Sequence, residues 1–259
     1  MSSMAEVYTE NLHKHFRILY ANWPPGSPIE LGDFGILTGD IFIRKGNILD
    51  KYKINFKKII DKSKDDYEYK SSDSTEVNFN SKGSVNPNGL VNAKASIEIK
   101  FSSNESIFFT ASDCVHNYIS NVEDIGEKII DLWDKDKWDE DNVIITSKMN
   151  SAATTIIVSK GNSSSIKLEA TSDAVESIKL SDASIGLGIV SESNIGFKVI
   201  TKEGMTPLFE IMGLKNKYKP FWPFTNGKKF ELERDLTKVE TISNKDKPKK
   251  VDVFFGKLA

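Results

Sequence analysis

The sequence predicts an α+β fold: a twisted, mostly antiparallel sheet with a few flanking helices and long amphipathic hairpins. Three observations carry this. Residues 77–101 alternate without a break, each odd position from Val77 to Phe101 being apolar or small and the even positions polar apart from Leu90. Two further alternating stretches fill 165–200. Between these regions, residues 120–138 switch to helical spacing, with Val122, Ile125, Ile129, Leu132 and Trp133 on one face. Alternation sends successive side chains to opposite faces and marks strands, whereas a 3.6-residue repeat marks a helix.

In chain order, Tyr8, Leu12, Phe16 and Leu19 predict a helix over 6–19, with His13, Lys14 and Arg17 on its other side. The prolines of Trp23-Pro24-Pro25-Gly26 are expected to end it. Short apolar pieces at Ile36-Leu37 and Ile41-Phe42-Ile43, punctuated by Gly32, Gly35, Gly39 and Gly46, predict short strands and tight turns. The polar run from Asp61 to Glu76 predicts a solvated loop. Asn86-Pro87-Asn88-Gly89 is turn chemistry, so 77–101 is expected to fold as a hairpin, extended by a third strand at 107–111. Ser120 and Glu123 predict a capping box for the helix that follows. Strands resume at 143–145 and 154–158. Ile166, Leu168 and Ala170 then share one face, as do Ala183, Ile185, Leu187 and Ile189, followed by Ile195, Phe197 and Val199. The text changes at 215, with KYKPFWPF, polar residues and an apolar patch at Val251, Val253, Phe254 and Phe255. A body over 1–214 and an extension over 215–259 follow from that change.

Net charge is −2 and the pI about 6.0, which gives no footprint of a nucleic-acid binder. The charge is uneven: residues 215–259 hold 12 Lys/Arg against 6 Asp/Glu, while 1–214 hold 23 against 31. A basic tail on an acidic body suits internal docking or attraction to anionic phospholipid. The single cysteine, Cys114, excludes an intramolecular disulfide and, with three histidines, argues against structural zinc. The chain reads as cytosolic, with no apolar run near the roughly 18 residues of a spanning helix and no secretory core at its start. A membrane role would need strands or an amphipathic surface.

No catalytic signature is present, and the expectation is a protein without enzymatic activity, metal or cofactor. His13 and His15 stand two apart on a helix and point to different faces, so a solvated face is expected there rather than a metal pair. Cys114 and His116 fall on one side of an expected strand end, but ASDCVHNY supplies no oxyanion loop, and a buried core cysteine is the expectation. KGNSSS at 160–165 lacks phosphate-loop spacing and reads as a turn. Trp23, Trp133, Trp138 and Trp222 read as core aromatics before lipid anchors. DKDKWDEDN lacks the glycine and terminal glutamate of a calcium loop.

Each limb of 77–101 also meets the length of about 9 to 11 residues that a bilayer-spanning strand requires. The order of parts, from a basic amphipathic helix through glycine-punctuated strands, a first long hairpin, a helix and apolar strand (EKIIDLWDKDKWDEDNVIITSKM), a second alternating pair and a short extension, resembles the pore-forming domain of the gasdermin family in its compact bacterial form. The resemblance covers most of residues 6–200 and lies in layout rather than in a diagnostic motif. It implies a homo-oligomer on an anionic phospholipid membrane, insertion of two hairpins per subunit into a β-barrel, and an activating protease that removes a restraint. Bacterial members commonly carry an N-terminal cysteine for acylation, and residues 2–10 have none. Carried onto this chain, Lys14, Phe16, Arg17 and Trp23 would meet lipid, Lys82, Asn92, Lys94 and Lys100 would line the lumen, and Val253, Phe254 and Phe255 would hold the resting state. The other expectation is a soluble non-enzymatic binding or scaffold protein, with the helix at 120–138 covering the apolar face of the hairpins.

Overall fold

The computed structural model of the protein describes residues 3–85, 91–170, 187–201, 204–216 and 253–258. The predicted turn at 86–89, the positions Ala183 and Ile185, and the segment KYKPFWPF lie outside the described residues.

The first helix, α1 (Met4–Phe16), opens on a capping box: Ser3 Oγ accepts from the Glu6 N–H, and the Glu6 carboxylate accepts from the Ser3 N–H at 2.7 Å. Tyr8 and Leu12 are fully buried on its inner face. It stops at Phe16, short of Leu19, because Arg17 turns to φ 60° and donates its N–H back to the His13 carbonyl at 2.6 Å. The prolines therefore do not end this helix. The chain has already entered β1 (Tyr20–Ala21) before reaching them.

The strands β2 (Asp33–Thr38) and β3 (Ile41–Asn47) form the expected short pair, followed by an unforeseen helix, α2 (Ile48–Tyr52), which the Asn47 side chain caps. After β4 (Lys58–Ile60) comes a correction. The polar run at 61–76 is not a loop, because β5 (Asp65–Lys70) occupies its centre and Tyr67 and Tyr69 alternate with exposed charged residues. Next are β6 (Thr75–Val85), β7 (Val91–Phe101) and the long β8 (Ile107–Ile119). The helix α3 (Val122–Asp134) buries Ile125, Gly126, Ile129 and Trp133. Its predicted capping box does not form. Asn121 holds the cap position, and both Asn121 and Ser120 are spent on Lys57: Asn121 Oδ1 accepts the Lys57 N–H at 2.7 Å and Ser120 donates to its carbonyl. Beyond them run β9 (Val143–Ser151), β10 (Ala153–Ser159), β11 (Ser164–Ala170), β12 (Leu187–Ser193), β13 (Ile195–Thr201), β14 (Met205–Asn216) and β15 (Val253–Lys257).

Every pairing among the described strands is antiparallel. They form an eleven-stranded sheet built around β14-β9-β8-β10-β13, and a separate four-stranded sheet in the order β12-β11-β7-β6. The large sheet is covered differently at its two ends. At one end α3 packs on Tyr20, Phe34, Ile145, Phe209 and Ile211. At the other, α1 covers the face carrying Phe109, Ala111, Ile156 and Val158. The opposite face there presents Phe108 and Ile157, and the four-stranded sheet lies on it. The expectation that the 120–138 helix covers the hairpins is thus overturned: a second layer of strand does so, and α3 serves the far end.

Candidate functional site

Two features are candidates for a role beyond the fold: the four-stranded sheet, and the strand contributed by the C-terminal segment, whose Leu258 joins the buried cluster at the α3 end. In the small sheet, register aligns Phe79, Ile97, Leu168 and Ile189 as one row across all four strands, with Val77, Ile99 and Ile166 beside it. The two inner strands are sealed, since Ile97, Ile99, Phe101, Ile166 and Leu168 meet Phe108 and Ile157 of the large sheet. The outer two are not. Phe79 is 48% exposed, Ile189 44% and Val190 54%.

The seal between the sheets is modest. Seven buried side chains at about 1.5–3 kcal/mol each give roughly 10–20 kcal/mol of gross burial. Polar groups interrupt it: Thr110 and Thr155 stand opposite each other in register, on the face that carries Phe108 and Ile157, and neither hydroxyl has a protein partner. The buried Thr75 hydroxyl on β6 is likewise unpartnered. Each buried hydroxyl left without a bond offsets about 1–3 kcal/mol.

The other face of the small sheet is polar and paired along its strands, Lys100 with Glu98 at 3.2 Å and Lys167 with Glu169 at 2.8 Å. Of the predicted lumen residues, Lys100 is exposed on this face. Lys82 stands directly opposite Lys94 and Asn92 opposite Ser84 in the β6–β7 register. A cleft of about 820 Å³ opens at the root of the hairpins, among Lys70, Ser74, Thr75, Lys100, Ser102 and Ser164. Its Lys100 already faces Glu76 across the ladder and pairs with Glu98.

The predicted lipid-facing residues divide in two. Lys14 is exposed, 3.6 Å from Glu10, and Arg17 is exposed at the end of α1. Phe16 and Trp23 pack inward, Phe16 edge-on to Tyr67 and Phe109, and Trp23 between Tyr8 and Phe197. Of the histidines flanking Lys14, His15 is exposed as expected, while His13 is half-buried. His13 stacks on Tyr20 at 4.0 Å with Nδ1 against the Leu19 carbonyl, and His15 packs on Phe16 and Tyr69.

At the C-terminal end, β15 pairs with β14 from Asn216↔Val253 to Met212↔Lys257, on the edge opposite β9 that β1 also uses. The boundary expected at 214/215 falls inside β14. Phe254 is 42% exposed, whereas Phe255 is half-buried against Gly126 of α3. Val253 is placed by its backbone register alone. Leu258, absent from the sequence-based expectation, is the best buried of the group at 2% exposed, and it packs over Gly213. No spacing rule flags it, since Leu258 lies one residue beyond β15 and three after Phe255, whereas side chains on one strand face recur every two residues.

Cys114 is fully buried, and burial first, then Asp66, Asp65 and Asp113, pushes its thiol up to about 12, which disfavours a thiolate. His116 Nε2 lies 2.7 Å from the Tyr67 hydroxyl and 3.4 Å from Asp65, binding β8 to β5 rather than reaching Cys114. Among the described residues no group of three or more His, Cys, Asp or Glu could hold a metal, and no helix is long and apolar enough to cross a membrane. The chain matches no protein-family model and no curated protein.

Proposed function

We propose that the protein is a latent pore former, resembling the gasdermin family in layout, whose four-stranded sheet leaves the large sheet and inserts into an anionic membrane as part of a ring of copies. The observation that carries this reading is the small sheet itself: two antiparallel strand pairs side by side, of eleven and seven described residues per strand, polar on one face, apolar on the other, with both outer strands unpaired among the described residues. Adjacent strands alternate in direction through β6, β7, β11 and β12, so β6 of one copy can add to β12 of the next and keep every pairing antiparallel. Such head-to-tail addition, if it closes, forms a ring without free edges, as a membrane barrel requires. Phe79 and Ile189 would then extend the apolar row from copy to copy. Lys82 and Lys94 occupy opposite register positions on the polar side of the alternation, which suits an aqueous lumen.

In this reading 253–258 is the restraint, supported by the pairing of β15 with the β14 edge and by the contacts of Phe255 and Leu258 with α3 and Gly213. Basic groups near the end of α1, Lys14 and Arg17, supply about 1 kcal/mol each of attraction to an anionic surface.

The burial of Ile97, Ile99, Ile166 and Leu168 favours a second reading, a soluble non-enzymatic binding or scaffold protein in which the small sheet never leaves. Dye release decides between them. Vesicles containing anionic lipid should leak with a chain ending at 216 and stay sealed with the full-length chain. If neither leaks at micromolar protein, the soluble reading holds.

A further inference from the structure

The β14 edge from Met212 to Asn216 is a groove with two hollows made by missing side chains. A Cβ at Gly126 would stand 2.9 Å from Phe255 Cβ, and one at Gly213 would stand 3.3 Å from Leu258 Cδ1. The hollows sit on α3 and β14, outside the segment that fills them. Main-chain pairing at five register positions supplies the ladder, and Lys257 Nζ donates to Glu210 at 2.6 Å. None of these contacts is covalent. The covalent route from Asn216 to Val253 runs through the 36 residues 217–252.

We infer that this groove is a strand-acceptor site for extended peptides with an aromatic residue followed three positions later by leucine, and that it keeps the chain's own segment 253–258 after the connection is cut. Strand addition takes its affinity from the main-chain ladder and its selectivity from side-chain seats, here one for an aromatic within the strand and one for a leucine just past its end. While the connection is intact, tethering holds the segment at high effective concentration and outcompetes peptide from solution. After a cut, occupancy falls to what the segment's own affinity sustains. The link to latency rests on the pore-forming proposal: cutting is then only the first of two steps, and the strand must still leave before the β14 edge is bare.

The test uses the folded full-length chain carrying a protease recognition sequence between Asn226 and Gly227, cut in place. The expected result is that the fragment bearing 253–259 co-elutes with the body at micromolar concentration. Excess fluorescein-labelled VDVFFGKLA should replace it, with the Leu258→Ala and Phe255→Ala peptides each about 10- to 100-fold weaker, as loss of one buried side chain entails. Separation of the fragment on cutting, or equal exchange by the three peptides, overturns the inference. The binding readout needs no membrane. Retention followed by peptide exchange, with no leakage even after the fragment is removed, sinks the pore proposal and leaves the acceptor site standing.

Discussion

Replacing Gly126 by alanine sets two effects against each other. In a helix interior the exchange ordinarily stabilises by about 1 kcal/mol, because glycine loses more backbone freedom on folding. Gly126 is buried in the middle of α3, where that gain should apply in full. The new methyl, however, would lie 2.9 Å from Phe255 Cβ and 3.3 Å from its Cγ and Cδ1. Ring rotation cannot relieve the first of these contacts, since a Cβ is fixed to its backbone, so β15 itself must shift at a typical overpacking cost of about 1–3 kcal/mol. The account therefore predicts a split result by hydrogen exchange. Amides of Phe254–Leu258 should exchange at least tenfold faster, about 1.4 kcal/mol of lost local protection, while those of Ile125–Trp133 keep or gain protection. A variant that melts higher, with the β15 amides as protected as before, would refute the reasoning.

Four further outcomes are expected. Ile97→Ala, at a site 3% exposed between the two sheets, should cost about 2–5 kcal/mol in urea unfolding, and a loss under 1 kcal/mol would mean this contact does not hold the sheets together. Lys148→Ala should cost about 1–3 kcal/mol, because its buried ammonium donates to the Ile29 carbonyl at 3.0 Å and the carbonyl is left without that partner, whereas Glu30→Gln, at the exposed end of the same contact, should cost less. The fold should weaken as pH rises above about 9. The unfolded Cys114 thiol ionises near its ordinary value while the folded one stays protonated up to about 12, so stability present below the unfolded value is lost on the way up, by as much as about 1.4 kcal/mol per pH unit from this group. Cys114→Ala should flatten that alkaline slope in pH-dependent unfolding. Phe79→Asp, at a half-exposed edge position, should leave unfolding within about 0.5 kcal/mol of wild type yet abolish vesicle leakage by the shortened chain, since a charge on a lipid-facing strand opposes insertion.

Elements whose partners are local in sequence were legible. The alternation from Val77 to Phe101 yields two limbs of the expected length in the register Val77↔Ile99, because a strand's faces are written in a two-residue repeat. The buried face of α3 was equally plain in Ile125, Ile129 and Trp133. What failed depended on distant groups. Ser120 and Glu123 match a capping box, but Lys57 in a remote segment claims Ser120 and Asn121. Residues 65–70 look like loop until the hydrophobic β8 offers an edge for Tyr67 and Tyr69 to lie along. The small sheet's cover could not be foreseen either, since Phe108 and Ile157 alternate with residues facing α1 and both faces of their strands are apolar. For the candidate site, the hairpins and the 253–255 patch were visible, while the seats at Gly126 and Gly213 were not, because a hollow is read from what is missing.

The most direct test follows one side chain. With Cys114→Ser removing the native thiol and an environment-sensitive fluorophore on Phe79→Cys, emission is recorded as the 217–252 connection is cut, and the terminal fragment removed, beside vesicles containing anionic lipid. The account predicts a water-like signal from the intact chain and, after the fragment leaves, a blue-shifted signal quenched by brominated lipid tails. A probe that stays in water throughout, with the fragment gone, would contradict it.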